Sequence, residues 1–139
     1  MTDQRRVLIM EDNRALALEW KEAFELNQCD VVLCHTGEEA ANYLEQETFD
    51  LVITDIFVDG EGERGGLYVL GQLIKMGKDA PPSIAVTGAF AHLDTQMGKN
   101  LFLSQASRLG ASMKISKPFP PMELVLLAFN FWDNPENFE

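Results

Sequence analysis

Positive charge is scarce in this sequence. Lysine and arginine together number 11 against 22 aspartates and glutamates, a formal net charge of -11. A field of that sign repels nucleic-acid phosphate and disfavours direct DNA binding, while suiting cationic metals or basic partners. Cysteine is almost absent too. Cys29 and Cys34 form no CxxC pair and belong to no His/Cys cluster of zinc spacing, so both read as reduced thiols in or near a core. With only two histidines, His35 and His92, no Ser/His/Asp or Cys/His constellation suggests itself, and both read as surface or cap residues. No apolar stretch approaches the roughly 20 residues of a membrane span, and the polar Met1 to Arg6 does not begin a signal peptide. A cytoplasmic protein is expected. Internal repeats, low-complexity tracts and interdomain linkers are also missing. The 139 residues therefore fit one domain, 1–139, with a core at about 5–132 and a loose tail at 133–139.

What is present is a strict alternation of apolar runs and amphipathic stretches. Val7 to Met10 is wholly apolar, as suits a strand buried on both faces. Leu16, Trp20, Ala23 and Phe24 then share one face of a helix from about Ala15 to Leu26. Val31 to Cys34 is a second strand, and Thr36-Gly37-Glu38-Glu39 matches a capping box that opens a second helix. Leu51 to Ile53 is a third strand, stopped by Thr54-Asp55. A charged, glycine-rich loop at Asp59 to Gly66 leads to a helix from Leu67 to about Met76. Ser83 to Val86 is the fourth strand, and Ala91 to Leu109 reads as a helix closed by Gly110. Met113 to Ile115 is the fifth strand, and Pro120-Pro121 starts the last helix. Such alternation predicts an α/β fold, a doubly wound five-stranded parallel sheet with helices on both faces.

In such a sheet, sites form beyond the carboxyl ends of the strands. Glu11 and Asp12 follow the first strand, Asp55 the third, Thr87 the fourth and Lys117 the fifth. Three clustered carboxylates repel one another unless a cation lies between them. Hard oxygen ligands with few protein contacts suit Mg2+, which often takes substrate phosphate as a further ligand. A carboxylate can act as a covalent nucleophile toward phosphorus. Phosphoryl transfer also needs its equatorial oxygens neutralised, a task within reach of Mg2+, Lys117 and the Thr87 hydroxyl.

The chain resembles the receiver domain of response regulators in two-component signalling. The resemblance rests on Val7-Leu8-Ile9-Met10-Glu11-Asp12, Leu51-Val52-Ile53-Thr54-Asp55, Gly66-Leu67, Val86-Thr87-Gly88 and Lys117-Pro118-Phe119, in the family's order over nearly the whole chain. It implies a flavodoxin-like sheet of strand order 2-1-3-4-5. It also implies a Mg2+ site formed by Asp12, Asp55 and the Phe57 backbone carbonyl, with Glu11 acting through water. Asp55 would take a phosphoryl group from a histidine kinase or phosphotransfer protein, Lys117 would pair with it, and Thr87 would report it. The expected role is a stand-alone phosphoacceptor that signals through protein contacts and resets by slow self-hydrolysis, not an enzyme that turns over a substrate.

Four positions depart from the family pattern. Lys114 stands where an aromatic residue is usual, and Asp59 where a proline is common in the loop after Asp55. Extra length lies around Ala89 to Asn100. The last helix carries Met122, Leu124, Val125, Leu126, Leu127, Ala128, Phe129, Phe131 and Trp132, leaving almost no polar face. Surplus apolar surface of that kind marks contact sites, so residues 91–132 are expected to present a surface for a downstream protein or a second copy, with Leu124 and Leu127 as its test positions. One alternative is a receiver-like binding module indifferent to phosphorylation. A lower-ranked one is an aspartyl-phosphate phosphohydrolase, which would require a second aspartate where Phe57 stands.

Overall fold

The computed structural model describes residues 4–56, 66–87 and 111–138. The Asp59 to Gly65 loop, the segment 88–110 with its expected helix, Phe57 and His92 lie outside the described residues, as does the side chain of Thr87.

The strands are β1 (Arg6–Met10), β2 (Asp30–Cys34), β3 (Leu51–Asp55), β4 (Ser83–Thr87) and β5 (Met113–Ser116), all parallel, in the order β2-β1-β3-β4-β5. The described helices are α1 (Arg14–Leu26), α2 (Gly37–Gln46), α3 (Gly66–Met76) and α4 (Pro121–Asp133).

Alternation along each strand sorts the core into two layers, because successive side chains point to opposite faces. Val7, Ile9, Leu51, Ile53, Ile84 and Val86 pack with Trp20 and Phe24 of α1 and with Leu124, Val125 and Ala128 of α4. Leu8, Met10, Val52 and Ala85 pack with Ala40 and Leu44 of α2 and with Val69, Leu70 and Leu73 of α3. Val7 through Met10 are fully buried, as a strand covered on both faces requires.

Local chemistry sets the helix ends. Asn13 caps α1, its side chain accepting from the Leu16 N–H at 3.0 Å. The cap thus falls to Asn13 and leaves the Asp12 carboxylate to other partners. The capping box of Thr36 and Glu39 opens α2 as the sequence predicts. Gly77 closes α3 with φ of 62°, a left-handed conformation that favours glycine. Pro121 occupies the first turn of α4, where its missing N–H is no loss.

The apolar last helix is better covered than its sequence suggests. Leu124 is fully buried, and Leu127, Phe129, Phe131 and Trp132 pack partly buried against the α1 layer. Trp132 donates its indole N–H to the Asp50 carbonyl at 3.2 Å, meets Phe129 edge-on at 5.1 Å, and lies under the Arg5 guanidinium at 4.5 Å. Only Met122 and Leu126 remain as large exposed apolar residues of this helix. Leu124 is therefore a core position, and Leu127 is half-buried against the same layer. Beyond α4, where the sequence suggests a loose tail, Pro135–Phe138 makes a 3-10 turn.

Candidate functional site

The strand order reverses at β1, leaving a crevice between the carboxyl ends of β1 and β3. Glu11, Asp12 and Asp55 meet there, each with a carboxylate oxygen within 4.8 Å of the others. Glu11 is fully buried and Asp55 nearly so, whereas Asp12 is exposed.

Glu11 is fixed on several sides. Its N–H donates to the Cys34 carbonyl at 3.1 Å, and its Oε2 accepts from the Asn13 N–H at 3.0 Å. Its carbonyl lies 2.9 Å from Nδ1 of His35. Asp55 closes β3 opposite Val86 of β4, and Thr87 follows one residue on, level with Ser116 of β5.

Lys117 follows β5 directly, and its peptide bond to Pro118 is cis. Its Nζ donates to Asp55 Oδ2 at 3.0 Å and stands 2.8 Å from Glu11 Oε1, an ion pair out of hydrogen-bond alignment. The ammonium also lies 5.8 Å from the Trp20 ring, which stacks on Phe119 at 5.7 Å. The lysine is thereby held between two buried acids on one side and an aromatic wall on the other.

Among the described residues, three carboxylates meet one ammonium, a set of hard oxygen donors of the kind Mg2+ accepts. The titration of the flanking groups carries the same imprint. Partial burial, the hydrogen bond to Glu11 and the charge of Glu11 raise the Asp12 carboxyl above its ordinary value, against the opposing pull of Lys117. Burial pulls the Lys117 ammonium down, but its contact with Glu11 and the charges of Asp55 and Glu11 outweigh that and leave it above the ordinary lysine value.

Four of the five side chains placed beyond the strand ends by sequence thus converge: Glu11, Asp12, Asp55 and Lys117. The fifth, Thr87, has its backbone at the expected strand end. Sequence reasoning missed two neighbours. Trp20 is a core residue, yet it also lies beside the Lys117 ammonium. His35 reaches the Glu11 carbonyl from the end of β2. The signal for His35 was available, since it follows an apolar run in the same way as Asp55 and Lys117 do.

A family model described as "Response regulator receiver domain" matches residues 7–128. Among curated proteins, the transcriptional regulatory protein CpxR of Escherichia coli is 28% identical over 120 residues, covering 86% of this chain and 46% of CpxR. The response regulator MprA of Mycobacterium avium is 27% identical, covering 90% of this chain and 58% of MprA. The chain spans about half the length of these relatives. Among solved structures, a CheY-like receiver domain from Methanospirillum hungatei superposes with a TM-score of 0.79 at 24% identity, covering 97% of this chain and 98% of that one. The receiver domain of Francisella response regulator 1452 gives 0.74 at 23% identity, covering 95% and 99%. These two likenesses are of fold.

Proposed function

The chain belongs to the response-regulator receiver family of two-component systems, and from that premise we propose that Asp55 is its phosphoacceptor. The observation that carries this reading is the setting of Asp55: nearly buried at the end of β3, among two further acids, with the Lys117 ammonium at 3.0 Å.

In the proposed reaction an Asp55 carboxylate oxygen attacks the phosphorus of a phosphohistidine on a histidine kinase or phosphotransfer protein. The P–N bond breaks, and its electron pair stays with the imidazole nitrogen as the new O–P bond forms. Asp12 and Asp55 would hold Mg2+ directly, Glu11 through water, and the Phe57 carbonyl would complete the set. Bound there, Mg2+ supplies the positive charge that phosphoryl oxygens need as they crowd toward the carboxylates. Lys117 already touches an Asp55 oxygen and needs only a small displacement to pair with the phosphoryl group that replaces its contact. Thr87, one residue past the strand partner of Asp55, is assigned to a further phosphoryl oxygen. Attack of water on the acyl phosphate returns the carboxylate and inorganic phosphate, so the domain resets without turnover of an external substrate.

The signal would leave through a protein surface within residues 91–132, to a downstream protein or a second copy, in the cytoplasm. Of that surface, Met122 and Leu126 supply exposed apolar area. A second reading, a receiver-like module whose partner binding ignores phosphorylation, is favoured by one observation. Lys114 lies exposed on β5, in the place where the family pattern has an aromatic ring.

Labelling by a small phosphodonor tests the first reading. The wild-type protein is expected to be labelled only with Mg2+ present, and Asp55→Asn not at all. Equal labelling of the two, or none of the wild type, would reject it.

A further inference from the structure

Both backbone polar groups of Glu11 are held from the junction of β2 and α2. Its N–H goes to the Cys34 carbonyl, and its C=O to Nδ1 of the next residue, His35. A carbonyl can only accept, so His35 must carry its hydrogen on Nδ1. The imidazole does not hang from a loose loop. The His35 N–H donates to Glu39 Oε1 at 3.0 Å, the Thr36 N–H donates to the same oxygen at 3.2 Å, and Thr36 Oγ1 accepts from the Glu39 N–H at 3.1 Å. The ring is therefore mounted on the capping box that starts α2.

The Glu11 carbonyl belongs to the peptide plane that joins Glu11 to Asp12. Holding that oxygen fixes the plane, and with it the direction in which the Asp12 backbone leaves β1. The same turn presents the Glu11 carboxylate inward, where Asn13 grips one oxygen and Lys117 faces the other. Two of the three acids of the site thus depend on a plane that the half-buried His35 pins from a neighbouring strand.

We propose that His35 is a positioning residue for divalent-cation binding, setting the Glu11–Asp12 peptide through its Nδ1–H. The inference rests on the reading of Glu11, Asp12 and Asp55 as a cation site. It assigns His35 no contact with the ion and no part in proton transfer. Outer-shell hydrogen bonds of this kind commonly change metal affinity about tenfold or more when lost.

The probe is Mg2+ alone, titrated calorimetrically into the wild-type chain and into His35→Leu, His35→Asn and His35→Gln. Leucine removes the donor. Asparagine restores an N–H near the place of Nδ1, whereas glutamine carries it out toward the place of Nε2. The expected result is an Mg2+ Kd about tenfold or more weaker for the leucine and glutamine variants, on the order of an outer-shell loss, with asparagine within about twofold of wild type. The rise in Tm on adding saturating Mg2+ should follow the same ranking, whatever each substitution does to the metal-free Tm. Should the leucine variant not fold, the comparison of asparagine with glutamine decides. Mg2+ binding indifferent to all three substitutions overturns the positioning role and leaves the site reading intact. An asparagine variant as weak as glutamine also overturns it. Failure of the wild type to bind Mg2+ overturns the site reading itself, and the role of His35 with it.

Discussion

Lys117 stands 2.8 Å from Glu11, a side chain fully shielded from solvent, and so serves as counter-ion to an acid that nothing else among its described contacts neutralises. The same ammonium bonds Asp55 at 3.0 Å. In the absence of a metal, one lysine holds the two buried carboxylates together.

Lys117→Met should therefore destabilise the metal-free protein by about 3–5 kcal/mol, the range for removing one partner of a buried ion pair and stranding the other. Mg2+ should then recover more stability in this variant than in the wild type, because a cation is no longer competing for the same oxygens. Urea denaturation with and without Mg2+ measures both effects. An equal Mg2+ increment in the two proteins would contradict the competition.

The pH dependence follows from two raised values. The folded pKa of Lys117 exceeds 10.5, so its stabilisation is complete below pH 10.5 and is lost as pH climbs through the raised value. Lys117→Met should lack that alkaline loss. The folded pKa of Asp12 exceeds 3.8, so its ionised form opposes folding above the raised value, and that opposition fades as pH falls through it. Asp12→Asn should stabilise the metal-free protein slightly at neutral pH, with the gain vanishing toward pH 4; the exposure of Asp12 keeps the effect small. Denaturation midpoints across pH read both limbs.

Leu124 and Leu126 are two residues apart on α4 and should behave oppositely. Leu124 is fully buried, so Leu124→Ala is expected to cost about 2–5 kcal/mol. Leu126 is 58% exposed, so Leu126→Ala should change stability by less than about 0.5 kcal/mol while weakening any association made through this helix. Sedimentation of the folded Leu126→Ala protein separates the interface from the core.

Trp132→Phe removes one hydrogen bond, from Nε1 to the Asp50 carbonyl, and keeps most of the ring's packing. The expected loss is about 0.5–1.5 kcal/mol. Trp132→Ala should cost more, because the Phe129 edge contact and the Arg5 stack go as well. Urea midpoints of the two variants give the ranking.

Much of this molecule was legible because buried parallel strands write themselves as unbroken apolar runs. Val7–Met10 ended where β1 ends and Glu11 follows it directly, whereas β3 runs two residues past Leu51–Ile53 and closes on Asp55 itself. The capping box at Thr36 was equally plain, being a fixed local spacing. Other features depend on contacts that no local pattern encodes. Asp12 meets Asp55, 43 residues later in the chain, only because β1 and β3 are neighbours in the sheet. The aromatic end of α4 looked like surplus surface. It is mostly a seal against the sheet, because Trp132 finds a hydrogen-bond partner in Asp50, 82 residues earlier. The place of His35 just past an apolar run was visible, but its role was not, because its partner is a backbone carbonyl 24 residues earlier.

The stack of Trp20 on Phe119 beside Lys117 gives the protein a built-in optical probe. Indole emission responds to nearby charge, and this indole lies 5.8 Å from the ammonium that, in the proposed reaction, would shift as a cation or phosphoryl group arrives. The only other tryptophan, Trp132, is anchored to Asp50 before β3 begins, whereas Lys117 touches Asp55 where β3 ends. One strand length, on the order of 16 Å, separates those anchors. With Trp132 replaced by phenylalanine, intrinsic fluorescence becomes a one-residue gauge of charge at the crevice, readable without dye, label or partner.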